Sequence, residues 1–398
     1  MMQLRRRSIR VALVLVVALG VSGSVSASAG TDAKRAGAPL KLMAVYEGHG
    51  PTATPEVPEG SIAAAKAINA KGGIKGRPVQ IITCDTMSDP TTATGCGRKA
   101  VSQGVVAMVG NLTLFGGQFM PLLAQHKIAS IGLQLNTGPD FTSPASFPIA
   151  GGAPVVFAGL ASALAESGAK KIVIARVDIP AAAALVPFVD AGLKRFHLTA
   201  RDVPVPLGAP DMSPYAAAAL KDGTDGIVVT ETDQDAVNFI VAVRQANPNV
   251  KIALGANSLS TVLKALGKNA EGIRLSAAVT IALKNTAERR YERDMKAAGY
   301  SKLTDFRLVS YASVFIFRTI AERLRRITAA AVFNALGRAQ NITTGFTPPL
   351  QFRKGGVAGL PRVFNPCMFA TRIKGGVEVP VTGKFENVFT GKQCPTPR

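Results

Sequence analysis

The chain has 398 residues with 39 glycines and no tryptophan, a length that suits two domains and a composition that favours an α/β protein over a β-sandwich. Its formal net charge of +21 points to anionic partners such as acidic lipids, cell-wall polymers or an anionic ligand. A nucleic-acid partner is disfavoured, because the basic residues are dispersed and no basic helix with interleaved aromatic side chains occurs.

The first predicted element is a signal peptide over residues 1–29. Four arginines between residues 5 and 10 form a basic start, residues 11–21 form an apolar run, and Ala27-Ser28-Ala29 resembles a cleavage site. The run is shorter than the roughly 20 residues of a membrane helix, although an uncleaved anchor stays an alternative. We therefore expect export from the cytoplasm, by the Sec or the Tat route, to the periplasm or cell-envelope space. No lipid anchor is expected, because no cysteine follows the run.

The next elements form one β-α-β-α wind of a parallel sheet. Residues 40–46 are a predicted strand, and apolar residues at helical spacing predict a helix that ends at Gly72-Gly73. The second predicted strand is Val79 to Ile82, with Asp85 just past its end. Asp89-Pro90 is a typical helix start, with an aspartate cap and a proline in the first turn.

The same alternation continues along the chain. Further strands are predicted at 105–109, 128–131, 171–176, 200–205, 226–230, 251–254 and 273–277. Helices are predicted at 118–125, 155–167, 181–196, 213–221, 234–246, 260–266, 286–298, 310–325 and 328–336. A loop is predicted at 132–146, and strand and loop at 346–398. This pattern predicts an α/β fold with two doubly wound parallel-sheet lobes around a ligand cleft, linked by about three crossover segments.

Residues 59–103, EGSIAAAKAINAKGGIKGRPVQIITCDTMSDPTTATGCGRKAVSQ, carry a family pattern. They resemble the opening of the branched-chain amino-acid binding proteins of ABC importers, which are type I periplasmic binding proteins. The family pattern is "N..GGI.GR.V..I..D...DP..A...A..LV", and looser similarity continues to about residue 375. The resemblance implies a first lobe from residues 40–148 and 281–346. It implies a second lobe from residues 149–280 and 347–398.

The four cysteines suit an oxidising compartment, and they lack the CxxC-type spacing of zinc sites. Four cysteines allow three pairings. Closeness in the sequence and in the expected fold favours Cys84 with Cys96, and Cys367 with Cys394. We therefore expect two structural disulfides and no metal.

Ligands of open parallel sheets bind beyond the carboxyl ends of the strands, so the first-lobe candidates follow strands. Glu47 and His49 follow the first strand, where a nucleotide site is excluded because prolines delay the helix. The resemblance implies that a Ser or Thr hydroxyl and backbone N–H groups after the third strand bind a ligand carboxylate. Leu114 occupies that position, so the hydroxyl is lost or shifted to Thr113. The other candidates are Phe115 in the same loop and Leu135, Asn136 and Thr137 in the next loop.

In the second lobe, the resemblance places Asp178, Glu231 and Thr232 near positions that are aromatic in the family. Asn257 aligns with the acid that binds a ligand ammonium. Because Leu114 has no hydroxyl and Asn257 has no charge, we predict a ligand other than a branched-chain amino acid, with an apolar or aromatic body. Glu231 or Asp178 is the alternative partner for an ammonium, and plain loop packing is the alternative for every candidate.

No catalytic arrangement is evident, since the chain has three histidines and lacks the G-x-S-x-G, H-E-x-x-H and P-loop motifs. We therefore expect a monomeric, non-enzymatic solute-binding protein without a cofactor, which presents a small molecule to an ABC permease. A sensory or receptor subunit is one alternative. A degenerate structural envelope protein that binds anionic wall polymers is the other.

Overall fold

The computed structural model describes residues 37–50, 53–255, 259–279, 285–357 and 359–397, so the predicted signal peptide lies outside the described part. Within those ranges, no helix has the length and apolar character needed to cross a membrane. The described chain is mixed α/β and contains two sheets.

The strands and helices alternate over most of the chain. The strands are β1 Leu40–Tyr46, β2 Val79–Asp85, β3 Ala107–Val109, β4 Ala129–Ile131, β5 Ser146–Phe147, β6 Ile172–Val177, β7 Ala200–Val205, β8 Gly226–Thr230, β9 Lys251–Leu254, β10 Arg274–Ala277, β11 Cys367–Lys374 and β12 Val377–Asn387. The helices are α1 Val57–Asn69, α2 Pro90–Ser102, α3 Met120–Gln125, α4 Gly138–Thr142, α5 Gly152–Glu166, α6 Pro180–Ala183, α7 Val186–Leu193, α8 Ser213–Ala219, α9 Asp233–Ala246, α10 Leu259–Leu266, α11 Thr286–Ala297, α12 Asp305–Ala321 and α13 Ala329–Gly337.

The first sheet is five-stranded and parallel, in the order β2-β1-β3-β4-β5. Helices α1, α11, α12 and α13 contribute buried side chains to the same apolar cluster as its strands. Helix α1 packs closely on α12 at Gly60, where an added Cβ would lie 1.9 Å from the carbonyl oxygen of Arg307. The chain therefore leaves this sheet after β5 and returns to cover it with its later helices.

The second sheet is seven-stranded, in the order β12-β11-β10-β9-β8-β6-β7. Strands β6 to β10 are parallel, whereas β11 and β12 add an antiparallel hairpin at one side. Helix α5 packs against β9 and β10. In β5 of the first sheet, Phe147 packs edge-on against Phe333 and Phe352, with its ring centroid 5.8 and 5.4 Å from theirs.

Several predicted elements have different bounds in the structure, for identifiable reasons. The predicted helix at 181–196 is divided into α6 and α7, because Pro187 fits the first turn of a new helix better than a helix interior. Helix α12 begins at Asp305, capped by Thr304, rather than at residue 310. The predicted loop at 132–146 contains the short helix α4, which Thr137 caps.

Both predicted disulfides are present. Cys84–Cys96 joins the end of β2 to α2, and Cys367–Cys394 joins the start of β11 to the segment after β12. No described cysteine is free. The two bonds therefore close loops with sequence separations of 12 and 27 residues.

Replacing Cys84 and Cys96 by serine should lower the free energy of unfolding by about 2–4 kcal/mol, because the unfolded chain loses a covalent constraint. Urea denaturation followed by circular dichroism measures the change, and non-reducing peptide mapping checks that the Cys367–Cys394 bond is intact. A change below about 0.5 kcal/mol would contradict the prediction.

Candidate functional site

The candidate residues lie in loops that follow the strands. Those of the first sheet follow β1, β3 and β4, and those of the second follow β6 and β8. Since the strands of each group are parallel, their carboxyl ends share one edge of each sheet. Asn257 lies outside the described residues.

Glu47 is buried at the end of β1, with 2% of its surface exposed. Its Oε1 accepts a hydrogen bond from the amide of Leu114 at 2.6 Å and from the hydroxyl of Thr113 at 3.1 Å. Thr113 Oγ1 in turn accepts from the amide of Phe115 at 3.0 Å. Donors of the loop after β3 are therefore directed at a carboxylate of the chain itself.

His49 and Asp85 form a second contact between loops. His49 Nδ1 lies 2.7 Å from Asp85 Oδ2, and the His49 side chain is 65% exposed. Asp85 Oδ1 also accepts from the amides of Gly48 and Met87, each at 2.8 Å. Burial raises the pKa of Asp85, but these hydrogen bonds and His49 outweigh it and lower the pKa below its ordinary value. This arrangement fixes the loop after β1 against the loop after β2.

The loop after β4 is organised by Asp140, whose Oδ2 accepts from the amide and the hydroxyl of Thr137 at 2.7 and 2.8 Å. Burial raises the pKa of Asp140, although these bonds counteract it. Asn136 Nδ2 donates to the carbonyl of Thr113 at 3.3 Å and so links two loops. Leu135 is buried in an apolar cluster of the interior. The polar side chains of this loop thus form hydrogen bonds that mainly stabilise the conformation of the loop itself.

In the second sheet, Arg176 of β6 donates hydrogen bonds to two aspartates, Asp202 and Asp178. Its Nε and Nη2 each donate to Asp202 at 2.9 Å, and its Nη1 donates to Asp178 at 3.4 Å. The Arg176 side chain is 9% exposed, whereas the Asp178 side chain is 59% exposed. Hydrogen bonding and the charge of Asp202 raise the pKa of Arg176 despite its burial.

Glu231 follows β8 and has no comparable partner. It is 7% exposed, and neither of its carboxylate oxygens has a hydrogen-bond partner among the described residues. Burial, followed by the charge of Asp235, raises its pKa to about 8, although Arg176 counteracts the shift. Thr232 instead caps α9, because its hydroxyl oxygen accepts from the amide of Asp235 at 3.4 Å, and the same hydroxyl donates to Asp235 Oδ2 at 2.9 Å. Glu231 is therefore a buried acid whose hydrogen-bonding capacity is unused.

Four exposed apolar side chains also lie after strands of the two sheets. They are Met87, Leu114, Ile179 and Leu207, after β2, β3, β6 and β7, with 41% to 63% of their surfaces exposed. Leu114 was predicted from the sequence, and the other three were not. Their positions could have indicated them, because Met87 and Ile179 closely follow Asp85 and Asp178, and Leu207 follows the predicted strand 200–205. The carboxyl edges thus combine exposed apolar groups with the two buried acids Glu47 and Glu231. In the described part of the chain, no group of His, Cys, Asp and Glu is placed to hold a metal ion.

Many solved structures share this fold, and three of them illustrate the range. One is a leucine-, isoleucine-, valine-, threonine- and alanine-binding protein from Brucella ovis in a closed conformation, with 16% identity, a TM-score of 0.73 and coverage of 90% of this chain and 99% of that chain. Another is a fatty acid ABC transporter substrate-binding protein from Thermomonospora curvata, with 15% identity, a TM-score of 0.71 and coverage of 90% and 95%. The third is an extracellular ligand-binding receptor from Verminephrobacter eiseniae ef01-2, with 18% identity, a TM-score of 0.70 and coverage of 86% and 99%.

Comparison with curated protein sequences finds no match. A family model described as periplasmic binding protein matches residues 16–377, which is most of the chain. The two-lobed α/β architecture agrees with that match and with the fold expected from residues 59–103. The chain therefore belongs to the periplasmic binding proteins, an extracytoplasmic family of solute-binding proteins, and it has their type I fold.

Proposed function

We propose that this protein is exported, captures a small molecule between its two lobes and presents it to an ABC permease, and that it is not an enzyme. We further propose that its ligand is not a branched-chain amino acid. The observation that carries this proposal is the pairing of Glu47 with the amide of Leu114 and the hydroxyl of Thr113. The resemblance assigns backbone N–H groups and a hydroxyl of this same loop to a ligand carboxylate.

A ligand carboxylate would have to compete with Glu47 for these donors. Glu47 is attached to the chain and buried, so it is present at the loop without loss of translational freedom. Displacing it would place two carboxylates close together, and like charges at such a distance repel each other. The exposed side chains of Leu114 and Ile179 instead favour a ligand with an apolar body.

Leucine, isoleucine and valine should therefore bind weakly or not at all, with dissociation constants above about 100 μM, which corresponds to less than about 5.5 kcal/mol of binding free energy. Isothermal titration calorimetry with each amino acid measures this directly. A thermal-shift screen over amines, aromatic acids, short peptides, fatty acids and polyols provides the positive control, because a ligand at 100 times its dissociation constant should stabilise by about 2.7 kcal/mol. Submicromolar binding of any of the three amino acids would refute the proposed ligand class.

A sensory or receptor subunit is the second candidate, favoured by the fold shared with an extracellular ligand-binding receptor. Co-purification with a permease separates transport from sensing. The transport proposal also includes lobe boundaries after residues 148, 280 and 346, a cleaved signal peptide over residues 1–29 and a monomeric state.

The third candidate is binding of anionic wall polymers, which the formal charge of +21 supports. Co-sedimentation with isolated cell wall tests it.

A further inference from the structure

We propose that the ligand of this protein is an amine with an apolar body and no carboxylate beside the amino group, and that its ammonium binds Glu231. This inference rests on the proposed function and names its ligand class. It combines the unused carboxylate of Glu231 after β8 with the occupied donor pair of the loop after β3.

The burial of Glu231 without a partner points to a missing cation or hydrogen-bond donor. Buried carboxylates in folded proteins are paired or hydrogen-bonded, because an isolated buried charge is strongly destabilising. Glu231 is 7% exposed and neither oxygen has a partner among the described residues. An ammonium offers three N–H donors and one positive charge, which match both requirements of this carboxylate.

The charges around Glu231 favour a cation over an anion. Asp235 on α9 and Arg176 on β6 are the groups that act on it electrostatically. Arg176 already binds Asp202 of β7 and Asp178 beyond β6. Arg176 is therefore shared by Asp202, Asp178 and Glu231, while Asp235 adds a further negative charge near Glu231, so a positively charged ligand group would offset the excess of negative charge.

Glu47 defines the other half of the ligand class. Since its carboxylate holds the amide of Leu114 and the hydroxyl of Thr113, an α-amino acid would leave its own carboxylate without these donors. An amine without this carboxylate needs no such donors, so it does not lose these hydrogen bonds. The exposed apolar side chains of Leu114 and Ile179 then suit the rest of the molecule.

Ammonium binding should be coupled to proton release. The carboxyl of Glu231 has a pKa of about 8 in the free protein, so it is mostly protonated at pH 7. The ammonium binds the ionised form, and the apparent affinity falls with the fraction of that form. With the pKa at about 8, the affinity for an amine should increase about 50-fold between pH 6 and pH 8.

The experiment uses two sets of matched probes with the full chain in titration calorimetry. One set is leucine, 3-methylbutylamine and 4-methylpentanoate, and the other is phenylalanine, phenethylamine and 3-phenylpropanoate. At pH 8, at least one amine should bind about tenfold more tightly than its amino acid and its acid. Glu231→Gln should reduce that affinity about 30-fold, whereas Glu271→Gln, the same change at the opposite edge of the second sheet, should not alter it. Titration in two buffers with different ionisation enthalpies should show proton release.

The inference would be overturned if no amine binds at concentrations up to 10 mM (about 1.4 kcal/mol weaker than a millimolar ligand), if the affinity decreases as pH rises, or if Glu231→Gln binds like the wild type. If the glutamine variant does not fold, Glu231→Asp replaces it and should keep the pH dependence with a lower affinity. Tight binding of an acid or a polyol would overturn the inference and leave solute capture standing. Absence of any small-molecule ligand in the thermal-shift screen would overturn the proposed function itself.

Discussion

Glu231→Gln should raise the free energy of unfolding by about 4–5 kcal/mol at pH 9 and leave it nearly unchanged at pH 4.5. The pKa of Glu231 is raised in the folded protein from its ordinary value of 4.5 to about 8, first by burial. Between these values the folded protein keeps a proton that the unfolded chain has lost. Stability therefore falls as pH rises from about 4.5 through about 8, and glutamine, which does not ionise, removes this loss.

Urea denaturation of the wild type and the variant at pH 4.5, 7 and 9 measures the effect. Glu271→Gln is the control, because Glu271 is exposed and lies before β10 on the same sheet. Equal pH dependence of the wild type and Glu231→Gln would show that Glu231 does not keep its proton in the folded protein. The expected gain in stability together with a loss of amine binding would mark Glu231 as a group retained for binding rather than for folding.

Glu47→Ala should open the carboxylate position of the loop after β3. The amide of Leu114 and the hydroxyl of Thr113 would lose their acceptor, and we expect a loss of about 2–3 kcal/mol in the free energy of unfolding. The same two donors should then accept a carboxylate from solution. The affinity for leucine should rise at least about tenfold above that of the wild type, and acetate should raise the melting temperature of the variant.

Glu47→Gln is the matched control for this change. Its side-chain oxygen keeps an acceptor for the amide of Leu114, so the carboxylate position should remain filled. Calorimetry with leucine and thermal unfolding in acetate, with chloride at equal ionic strength, compare the three proteins. Equal leucine affinities in the alanine variant and the wild type would falsify the assignment of Glu47 as the group that excludes carboxylates.

The strand positions could be predicted well because most of the parallel strands are short, largely apolar runs bounded by glycine or polar residues. β1, β7, β8 and β9 have the predicted bounds. Helix boundaries were harder wherever the start depends on a cap. Helix α12 starts at Asp305 because Thr304 accepts from the amide of Arg307, and this cap precedes the strongly apolar part of the helix.

The chemistry of the candidate site was less accessible from the sequence. The position directly after β8 was enough to select Glu231. That Glu231 has no hydrogen-bond partner could not be predicted, because the nearby Arg176 donates instead to Asp202, which lies 26 residues after Arg176 in the chain. The contact of Glu47 with Leu114 joins residues 67 positions apart. Local patterns contain no information on such pairings, because strand order in the sheet decides which loops meet.

The hairpin of β11 and β12 has a consequence for how the chain reaches its native state. β10 pairs with β9 on one side and with β11 on the other, yet about 90 residues separate β10 from β11 in the sequence. Until residues 367–387 have formed their hairpin, β10 therefore presents an open edge. Open edges recruit strands of other chains, and a charge on the edge opposes this. Arg274 at the start of β10 supplies such a charge, so it would oppose pairing with other chains until the C-terminal hairpin covers the edge.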